Sequence, residues 1–319
     1  QMPQNLEIIY RSHDCGKTWE YVTELFPCMW GTIFLHRGVL YMLATSTENG
    51  DILIGASLDE GSTWTRPVML FPGSGMWKCA GWQRQPMPIL EYQGKLMTSI
   101  EYGCWSEPDM FGIHTLWANA DADLLDPMSW NMSAGTHYDK SWPNSPKGGN
   151  PALLEGNLYV DRRGKVINLL RMQINNSSPA YGYACYLELD MDDLDAAPKF
   201  NSIREMPTGA NTKTYVQYDA VSDKYWAIGN LVTDPSKPAM RNVVALLASD
   251  DGYDWRTVKV LYDYSELNHQ KVGMQYHQFI IDDANILWLS RTAFNQARNF
   301  HDSNCQTFHP ILNFRELDK

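Results

Sequence analysis

Short runs rich in Val, Ile, Tyr, Leu and Trp recur along the whole chain, and tight polar turns separate them. Residues 32–35, 39–45, 51–57 and 64–70 predict four successive β-strands. The same arrangement begins again near residues 87, 152, 214 and 276. Self-similar four-stranded units at such spacings are typical of a β-propeller, in which no unit is stable alone. Helical periodicity is essentially absent, and residues 118–130 predict at most a helical turn.

The pattern predicts an all-β chain that forms one domain over residues 1–319. We expect a six-bladed β-propeller with four-stranded antiparallel blades, and five or seven blades are the alternatives. The chain starts within what should be a blade, because residues 6–10 fit a third strand. We therefore expect an incomplete first blade, and we expect C-terminal residues 306–312 to help close the ring.

A second repeat falls on predicted hairpin turns. Residues 12–19 and 57–64 share the pattern S-x-D-x-G-x-T-W, and residues 248–255 are a degenerate copy. In such a turn the Asp accepts hydrogen bonds from backbone amides, the Gly allows a positive φ, and the Trp packs between sheets. The repeat resembles the Asp box, or BNR repeat, of sialidase-like propellers. The resemblance implies a structural role for the repeat, so these Asp residues are not catalytic candidates.

The resemblance covers nearly the whole chain and is strongest at residues 154–157, 290–293 and 299–309. These segments resemble sialidase-related proteins of the exo-α-sialidase kind. One difference is the absence of an Arg-Ile-Pro segment, the N-terminal arginine motif of true sialidases. The resemblance implies an exo-acting glycosidase, and sialidases use a Tyr nucleophile because an anionic sugar repels a carboxylate.

Composition narrows the choice of partner. A formal net charge of -11 argues against nucleic acid as the main partner. No apolar run is long enough to span a membrane, and the N-terminus lacks the pattern of a signal peptide. The 12 Trp, 17 Tyr and 10 Phe residues fit either a β-sheet core or a ligand with flat faces, such as a sugar.

Cysteine usage leaves the compartment open. The six cysteines are scattered and include no CxxC pair, so we expect neither a metal site nor a cofactor. A Cys79–Cys104 disulfide would fit an exported protein, and free thiols would fit a cytosolic one. We expect a secreted, periplasmic or cell-surface location rather than a cytoplasmic one.

Loop lengths predict which face of the propeller is functional. We letter the four strands of each blade a to d from the propeller axis outward. The loops between strands b and c and the crossovers from strand d to the next blade lie on one face and are long, and most of the surplus Trp, His and Arg residues fall in them. Long loops in a compact domain are usually functional. Near the axis on this face we expect the residues that start strand a or end strand b: Arg84, Glu155, Lys213, Tyr215, Gln275, His277, Glu101, Arg171, Asn230 and Arg291.

The arginines in this set predict an anion site. Arg171 and Arg291 each follow an apolar strand, where a buried arginine is costly unless it meets an anion. Together with Arg84 they could form a carboxylate clamp for an acidic sugar. The alternative is that each forms a structural ion pair with Glu155, Glu101 or Asp302. Lys213, Gln275, His277, Asn230, Trp30, Trp82 and Trp105 complete the predicted substrate-binding set.

Hydrolysis requires an acid and a nucleophile or base. We predict that Tyr215, with Glu155 or Glu101 beside it, supplies that pairing, and that His301 is a further catalytic candidate. The alternative for His301 is a structural role, as a loop histidine that bonds Asp302. The favoured function is a sialidase-like glycoside hydrolase that cleaves a terminal glycosidic bond of an acidic oligosaccharide or polysaccharide.

Two other functions stay open. A lyase acting on a uronic-acid glycan, such as a rhamnosyl-glucuronate, needs a neutralised carboxylate and a base, and His301, His277, Lys213 and Tyr215 fit that scheme. A glycan-binding propeller without catalysis would explain the missing arginine motif. An interaction scaffold is less well supported, because it gives no reason to place Trp, Arg and Glu on one face.

Overall fold

The computed structural model describes residues 5–107, 111–149, 151–174, 180–208 and 212–318. Alternating apolar residues and Gly- or Asp-containing turns give a chain made almost entirely of β-strands. The strands are β1 Glu7–Arg11, β2 Glu20–Leu25, β3 Met29–His36, β4 Val39–Thr45, β5 Ile52–Ser57, β6 Val68–Phe71, β7 Gly81–Gln83, β8 Leu90–Tyr92, β9 Lys95–Gly103, β10 Gly112–Asn119, β11 Trp130–Met132, β12 Ala152–Val160, β13 Val166–Gln173, β14 Tyr183–Glu188, β15 Lys199–Glu205, β16 Tyr215–Asp219, β17 Lys224–Asn230, β18 Val243–Ser249, β19 Trp255–Asp263, β20 Gly273–Asp282, β21 Asn285–Ala293 and β22 Cys305–Ile311.

The strands pair in chain order into antiparallel sheets. Four sheets have a path of four strands, namely β3-β4-β5-β6, β7-β9-β10-β11, β12-β13-β14-β15 and β16-β17-β18-β19. A fifth sheet, β20-β21-β22, has three strands in the described part of the chain. Both β7 and β8 pair with β9, so they act as two halves of one interrupted inner strand. Each of these sheets is a blade, and the fold is a β-propeller with five blades.

The preferred count of six blades is not supported. Strands β1 and β2 pair only with each other within the described part of the chain, as a two-stranded sheet. Counting this hairpin as a blade gave the sixth. The strand predicted at residues 64–70 begins later, at Val68, because the Trp64 indole donates to the Gly61 carbonyl oxygen and belongs to the preceding turn. The helical structure in residues 118–130 is limited to one 3-10 turn, Pro127–Ser129, as expected.

The chain divides into two compact units. Unit 1 comprises Gln1–Tyr138 and Asp190–Lys199, and unit 2 comprises Asp139–Leu189 and Phe200–Lys319. Each unit has its own apolar core. In unit 1 it includes Leu43, Ile54 and Ile100. In unit 2 it is built from aromatic side chains such as Tyr186 and Tyr225 together with Leu169, Ala227 and Leu247. The single domain remains a prediction.

Three inner strands share an irregularity that positions side chains for function. The register shifts between Met29 and Thr32 in β3, between Leu154 and Asn157 in β12, and between Gln275 and Gln278 in β20. The residues within these bulges that adopt the left-handed conformation are Trp30, Glu155 and Tyr276, with φ values of 57°, 56° and 55°. Non-glycine residues with positive φ are uncommon and cluster at functional sites. A bulge also re-aims a side chain that regular alternation would place elsewhere.

The hairpin repeat forms the hydrogen bonds expected of it. Asp14 and Asp59 each accept bonds from the backbone amide and the hydroxyl of the Thr four residues later, at 2.8 and 2.7 Å. These bonds lower the pKa of both Asp residues to about 2. In the degenerate copy the accepting residue is Asp251, which bonds the amides of Tyr253 and Asp254, both at 2.8 Å.

Two further findings concern the cysteines and the membrane. All six cysteines lie in described ranges and are free thiols, so Cys79 and Cys104 are not joined. In the described ranges, the chain has no helix whose length and apolar character would suit it to membrane crossing.

Candidate functional site

A cluster of charged side chains surrounds Tyr276 in unit 2. The Tyr276 ring centroid lies 5.0 Å from the Arg291 guanidinium carbon and 5.8 Å from that of Arg241. Arg171 and Arg241 also form side-chain hydrogen bonds with Tyr276, in which the guanidiniums donate. Burial and the nearby Glu155 carboxylate raise the pKa of Tyr276, and the three arginines oppose that rise. Tyr276 is therefore a neutral phenol at neutral pH, with cations around it.

Arg171 and Glu155 form a buried ion pair. Both carboxylate oxygens of Glu155 lie 3.0 Å from Arg171 Nη1, and Arg171 Nη2 donates to Gln173 Oε1 at 2.7 Å. The side chain of Arg171 is 7% exposed and that of Glu155 is 2% exposed. Burial disfavours the charge on Arg171, but Glu155 and Tyr276 outweigh burial, and the net pKa of Arg171 is raised. The structural ion pair given as the alternative for Arg171 is therefore present, with Glu155 as its partner, and the carboxylate clamp stays a prediction.

Arg241 is a buried cation whose charge is only partly balanced. Its Nη1 donates to Gln275 Oε1, and its side chain is buried next to Arg171. Burial and repulsion by Arg171 lower the pKa of Arg241 to about 10, although Tyr276 and Glu155 favour its charged form. Among the described residues, the charged groups that act on Tyr276 are the guanidiniums of Arg171, Arg241 and Arg291 and the carboxylate of Glu155. Such an arrangement favours the binding of an anion, which would relieve the repulsion.

The segment around His301 closes one side of the cluster. Arg291 donates from Nη2 to the His301 carbonyl oxygen at 3.0 Å and from Nε to Ser303 Oγ at 3.2 Å. Gln275 Nε2 donates to the same carbonyl at 2.5 Å. The His301 ring is half exposed and pairs with Asp302 Oδ1 at 3.2 Å. Burial lowers the pKa of His301 overall, and Asp302 acts in the opposite direction.

Other predicted residues of unit 2 lie beside this cluster rather than in it. The Tyr215 ring packs edge-on against Phe279, and Gln217 Nε2 donates to its hydroxyl at 3.4 Å. Lys213 Nζ lies 5.2 Å from the centroid of that ring. Asn230 Nδ2 donates to the carbonyl oxygens of Met274, at 2.9 Å, and of Arg241, at 3.3 Å, so Asn230 fixes the backbone that carries Arg241.

His277 follows Tyr276 in the same bulge and is fully buried. Neither ring nitrogen has a hydrogen-bond partner among the described residues. The ring lies edge-on to Trp288, with centroids 5.2 Å apart. Burial, with Lys213, His309 and Arg241 nearby, lowers the pKa of His277 to about 3. His277 is therefore neutral in the folded protein at neutral pH.

The remaining predicted residues belong to unit 1. Arg84 is buried, and its guanidinium donates to Thr32 Oγ1 and to the Met87 carbonyl oxygen, both at 2.8 Å. Glu101 is buried on β9 opposite Gln83 on β7. Trp30 and Trp82 line a common cleft. Trp105 donates from its indole to Glu48 Oε1 at 2.7 Å.

Sequence reasoning missed Tyr276 and Arg241. Regular alternation places Gln275 and His277 on one face of β20 and Tyr276 on the other, but the bulge turns Tyr276 toward the arginines. The residue type at position 276 does not predict a left-handed backbone conformation. Arg241 lies in a long loop, 230–242, that sequence reasoning assigned to the functional face, and an arginine at its end next to an apolar strand is the clue that could have identified it.

The site consists of arginines, a tyrosine and one glutamate. Within the residues that the structure describes, no group of three His, Cys, Asp or Glu side chains is placed to hold a metal ion. The chemistry that these groups offer is anion binding by guanidiniums and proton transfer between a phenol and a carboxylate.

Neither a protein-family model nor a curated protein matches the chain. Solved structures do match it. An α-L-arabinanase from Penicillium chrysogenum, complexed with arabinobiose, aligns with a TM-score of 0.60 at 12% identity over 96% of this chain and 85% of that chain. A protein of unknown function from Dyadobacter fermentans aligns with a TM-score of 0.60 at 12% identity over 96% and 83%. An α-L-arabinofuranosidase from Lactobacillus brevis aligns with a TM-score of 0.55 at 12% identity over 89% and 90%.

These likenesses agree with the β-propeller fold. At 12% identity they bear on the fold alone. The narrower sialidase relationship, inferred from the hairpin repeat, remains an inference from the sequence.

Proposed function

We propose that the chain is a glycoside hydrolase that releases a terminal acidic sugar, with Tyr276 as the nucleophile. The observation that carries the proposal is the placement of Tyr276 among Arg171, Arg241 and Arg291 with Glu155 beside it. The glycosidase activity of two of the fold relatives, an arabinanase and an arabinofuranosidase, supports the reaction class. The arginines favour an acidic sugar over the neutral arabinose of those relatives.

The cluster suits an anionic substrate in two ways. Guanidiniums bind a carboxylate through paired hydrogen bonds, and in a buried site those bonds are strong. A neutral phenol next to the anomeric carbon avoids the repulsion that a carboxylate nucleophile would exert on the same substrate.

The bond changes in the first step follow from these positions. The Tyr276 oxygen attacks the anomeric carbon and its proton passes to the Glu155 carboxylate. The bond from the anomeric carbon to the leaving oxygen breaks, and that oxygen takes a proton from a water molecule, which becomes hydroxide. A second water attacks the anomeric carbon of the tyrosyl-sugar and gives its proton to the hydroxide, while Glu155 returns its proton to the Tyr276 oxygen. Two inversions at the anomeric carbon give net retention of its configuration.

A trapping experiment tests the proposal. The protein is first incubated with aryl glycosides of sialic acid, glucuronic acid, galactose and arabinofuranose. A fluorinated glycosyl fluoride of the sugar that is released should then accumulate as a covalent adduct, and peptide mass spectrometry should locate the adduct on Tyr276. Release of an acidic sugar without any adduct on Tyr276 would overturn the assigned nucleophile. Absence of release across the whole set would overturn the hydrolase.

A uronate lyase is the second candidate, because the same three arginines would neutralise a uronate carboxylate before proton abstraction. A lyase that uses Tyr276 as base requires the phenolate, and burial together with Glu155 raises the pKa of Tyr276. A raised pKa disfavours the phenolate and therefore favours hydrolysis over the lyase reaction. Absorbance of an unsaturated uronate product, measured on glucuronate-containing polysaccharides, would instead identify the lyase.

A further inference from the structure

Two histidines of unit 1 lie next to each other and take no part in the proposed hydrolysis. His114 stands on β10, and an antiparallel bridge between Ile113 and Thr136 brings His137 alongside that strand. The bridge consists of two backbone hydrogen bonds, both of 2.9 Å. Residues directly before and after a bridged pair point to the face opposite to that pair. His114 and His137 therefore project from the same face of the sheet.

Two glycines leave room for the imidazole rings on this face. A Cβ on Gly112 would lie 3.1 Å from Nε2 of His114 and 3.3 Å from Nε2 of His137. A Cβ on Gly135 would lie 2.6 Å from both Nε2 and Cε1 of His114. The two rings thus fill space that side chains at 112 and 135 would occupy. Both Nε2 atoms consequently approach one point above Gly112.

A backbone hydrogen bond determines which nitrogen of His114 carries the hydrogen. Nδ1 lies 2.9 Å from the carbonyl oxygen of Ser133, and because a carbonyl oxygen only accepts, Nδ1 is the donor. Nε2 keeps its lone pair and has no hydrogen-bond partner among the described residues. Burial and the nearby His137 lower the pKa of His114, against the effect of the Ser133 bond, so the ring is neutral at neutral pH. Histidines that bind metals typically donate their other ring N–H in this way.

The two rings differ in how firmly they are held. Trp82 and Tyr102 pack edge-on against the His114 ring, with centroid distances of 5.4 and 6.5 Å. His137 is exposed, and its ring forms no hydrogen bond to another described residue. A rotation of the His137 side chain can therefore bring both Nε2 atoms to the distance of about 2.0–2.1 Å that a zinc–imidazole bond requires.

We propose that His114 Nε2 and His137 Nε2 together bind a divalent transition-metal ion of the kind that prefers imidazole, such as Zn²⁺, Ni²⁺ or Cu²⁺. Two imidazoles leave the other coordination positions to water, which agrees with the finding that no three His, Cys, Asp or Glu side chains of the described ranges are grouped for a metal. Mg²⁺ and Ca²⁺ prefer oxygen ligands and should not bind here. The site goes beyond the hydrolase proposal and does not depend on it.

Calorimetric titration of the full-length, EDTA-treated protein with NiCl₂ at pH 7.5 tests the proposal. Ni²⁺ should bind saturably, and MgCl₂ should give no saturable heat. His114→Ala and His137→Ala should each weaken Ni²⁺ binding about tenfold or more, because one imidazole remains. His137→Ala is the cleaner variant, since the side chain is exposed and its removal should leave the midpoint of thermal unfolding unchanged.

The indole of Trp82 reports where the ion binds. Ni²⁺ is paramagnetic, and the Trp82 ring lies 5.4 Å from that of His114, so the Trp82 indole N–H resonance of the ¹⁵N-labelled protein should broaden as Ni²⁺ is added. In His137→Ala the same addition should leave this resonance sharp.

His13→Ala is the matched control. The His13 side chain is 70% exposed and pairs with Glu20, away from the bridge at Ile113, so this variant should bind Ni²⁺ as the unaltered protein does. Equal affinity of the unaltered protein and His137→Ala would overturn the proposal, as would the absence of saturable binding or of broadening at Trp82. Tyr276→Phe should bind Ni²⁺ normally, so the metal site and the hydrolase are tested separately.

Discussion

At the residue scale, the proposed function depends on one hydroxyl group, that of Tyr276. Tyr276→Phe keeps the ring that packs against Arg291 and removes the oxygen that Arg171 and Arg241 bond. We expect loss of turnover by a factor of roughly 10³ or more, because the nucleophile is absent. The midpoint of thermal unfolding should change little. Initial rates on the aryl glycoside that the unaltered protein cleaves would measure the effect.

Tyr215→Phe is the matched control. Tyr215 lies beside the cluster around Tyr276 rather than in it, and its ring packs edge-on against Phe279, so removal of its hydroxyl should leave the rate within about threefold of the unaltered protein. A rate loss in Tyr215→Phe as large as that in Tyr276→Phe would restore Tyr215 as the nucleophile.

His277 predicts a pH dependence of stability. Its pKa in the folded protein is about 3, below the ordinary value of 6.5, so the unfolded chain binds the proton more readily. Its contribution to stability is therefore full above pH 6.5 and is lost as the pH falls toward 3. Between pH 7 and pH 5 this loss amounts to about 2 kcal/mol.

Urea unfolding of the unaltered protein and of His277→Gln at pH 5, 6 and 7 measures that loss. The difference in unfolding free energy between the two proteins should shrink by about 2 kcal/mol from pH 7 to pH 5. A difference that stays constant with pH would show that His277 is accessible to protons in the folded state.

Residues of the candidate site could be predicted from the sequence where they lie on a regular strand. Arg171 and Arg291 were singled out from their place after apolar strands, and both lie next to Tyr276. Tyr276 itself was not, because the bulge in β20 depends on the register with β21. A register is set by two strands together, and one strand's pattern does not contain it.

At the element scale, close approach of two backbone segments fixes the start of β7 at Gly81. A Cβ on Gly81 would lie 1.9 Å from the Asn49 carbonyl oxygen, which is backbone and cannot move aside cheaply. We expect Gly81→Ala to lower the free energy of unfolding by about 3 kcal/mol or more, since the clash must displace one of the two segments. Urea denaturation would measure the loss.

Gly94→Ala offers the comparison for this variant. Gly94 has a φ of +73°, and a Cβ there would meet nothing within 4 Å. Its replacement should cost only the backbone strain, about 1 kcal/mol. Equal losses in the two variants would mean that backbone strain, rather than contact with Asn49, limits Gly81.

Strand positions were predicted well at this scale because alternation and turn residues are local features. Val39–Thr45 agrees at both ends, and the predicted strand at 51–57 differs by one residue from Ile52–Ser57. The degenerate hairpin repeat was predicted one residue out of place, because Asp250 and Asp251 are adjacent and only the backbone bonds single out Asp251.

At the scale of the whole molecule, the preferred number of six blades is not supported, and the fold has the five blades that were given as an alternative. Repeat spacing indicates a propeller, but it does not show whether a hairpin such as β1–β2 joins a larger sheet. The net charge of -11 was likewise uninformative about the site, since the cluster around Tyr276 carries a local surplus of cations. The number of blades and the local surplus of cations both depend on which distant segments of the chain contact each other.

The acidic-sugar proposal predicts ligand-linked stabilisation of the folded chain. A ligand that binds only the folded state adds about 2.7 kcal/mol at a concentration one hundred times its Kd. Sialic acid or glucuronic acid should therefore raise the midpoint of thermal unfolding. In Arg291→Ala this rise should disappear, because the variant removes a guanidinium that lies 5.0 Å from the Tyr276 ring.

The unliganded midpoint of Arg291→Ala should stay close to that of the unaltered protein, since Arg291 is partly exposed and its hydrogen bonds go to His301 and Ser303 in a surface loop. A large fall in that midpoint would instead assign Arg291 a structural role. The shift caused by a neutral methyl glycoside should be the same in both proteins. Scanning fluorimetry with acidic and neutral sugars on the two proteins separates these outcomes, because only the acidic sugar should distinguish the variant from the unaltered protein.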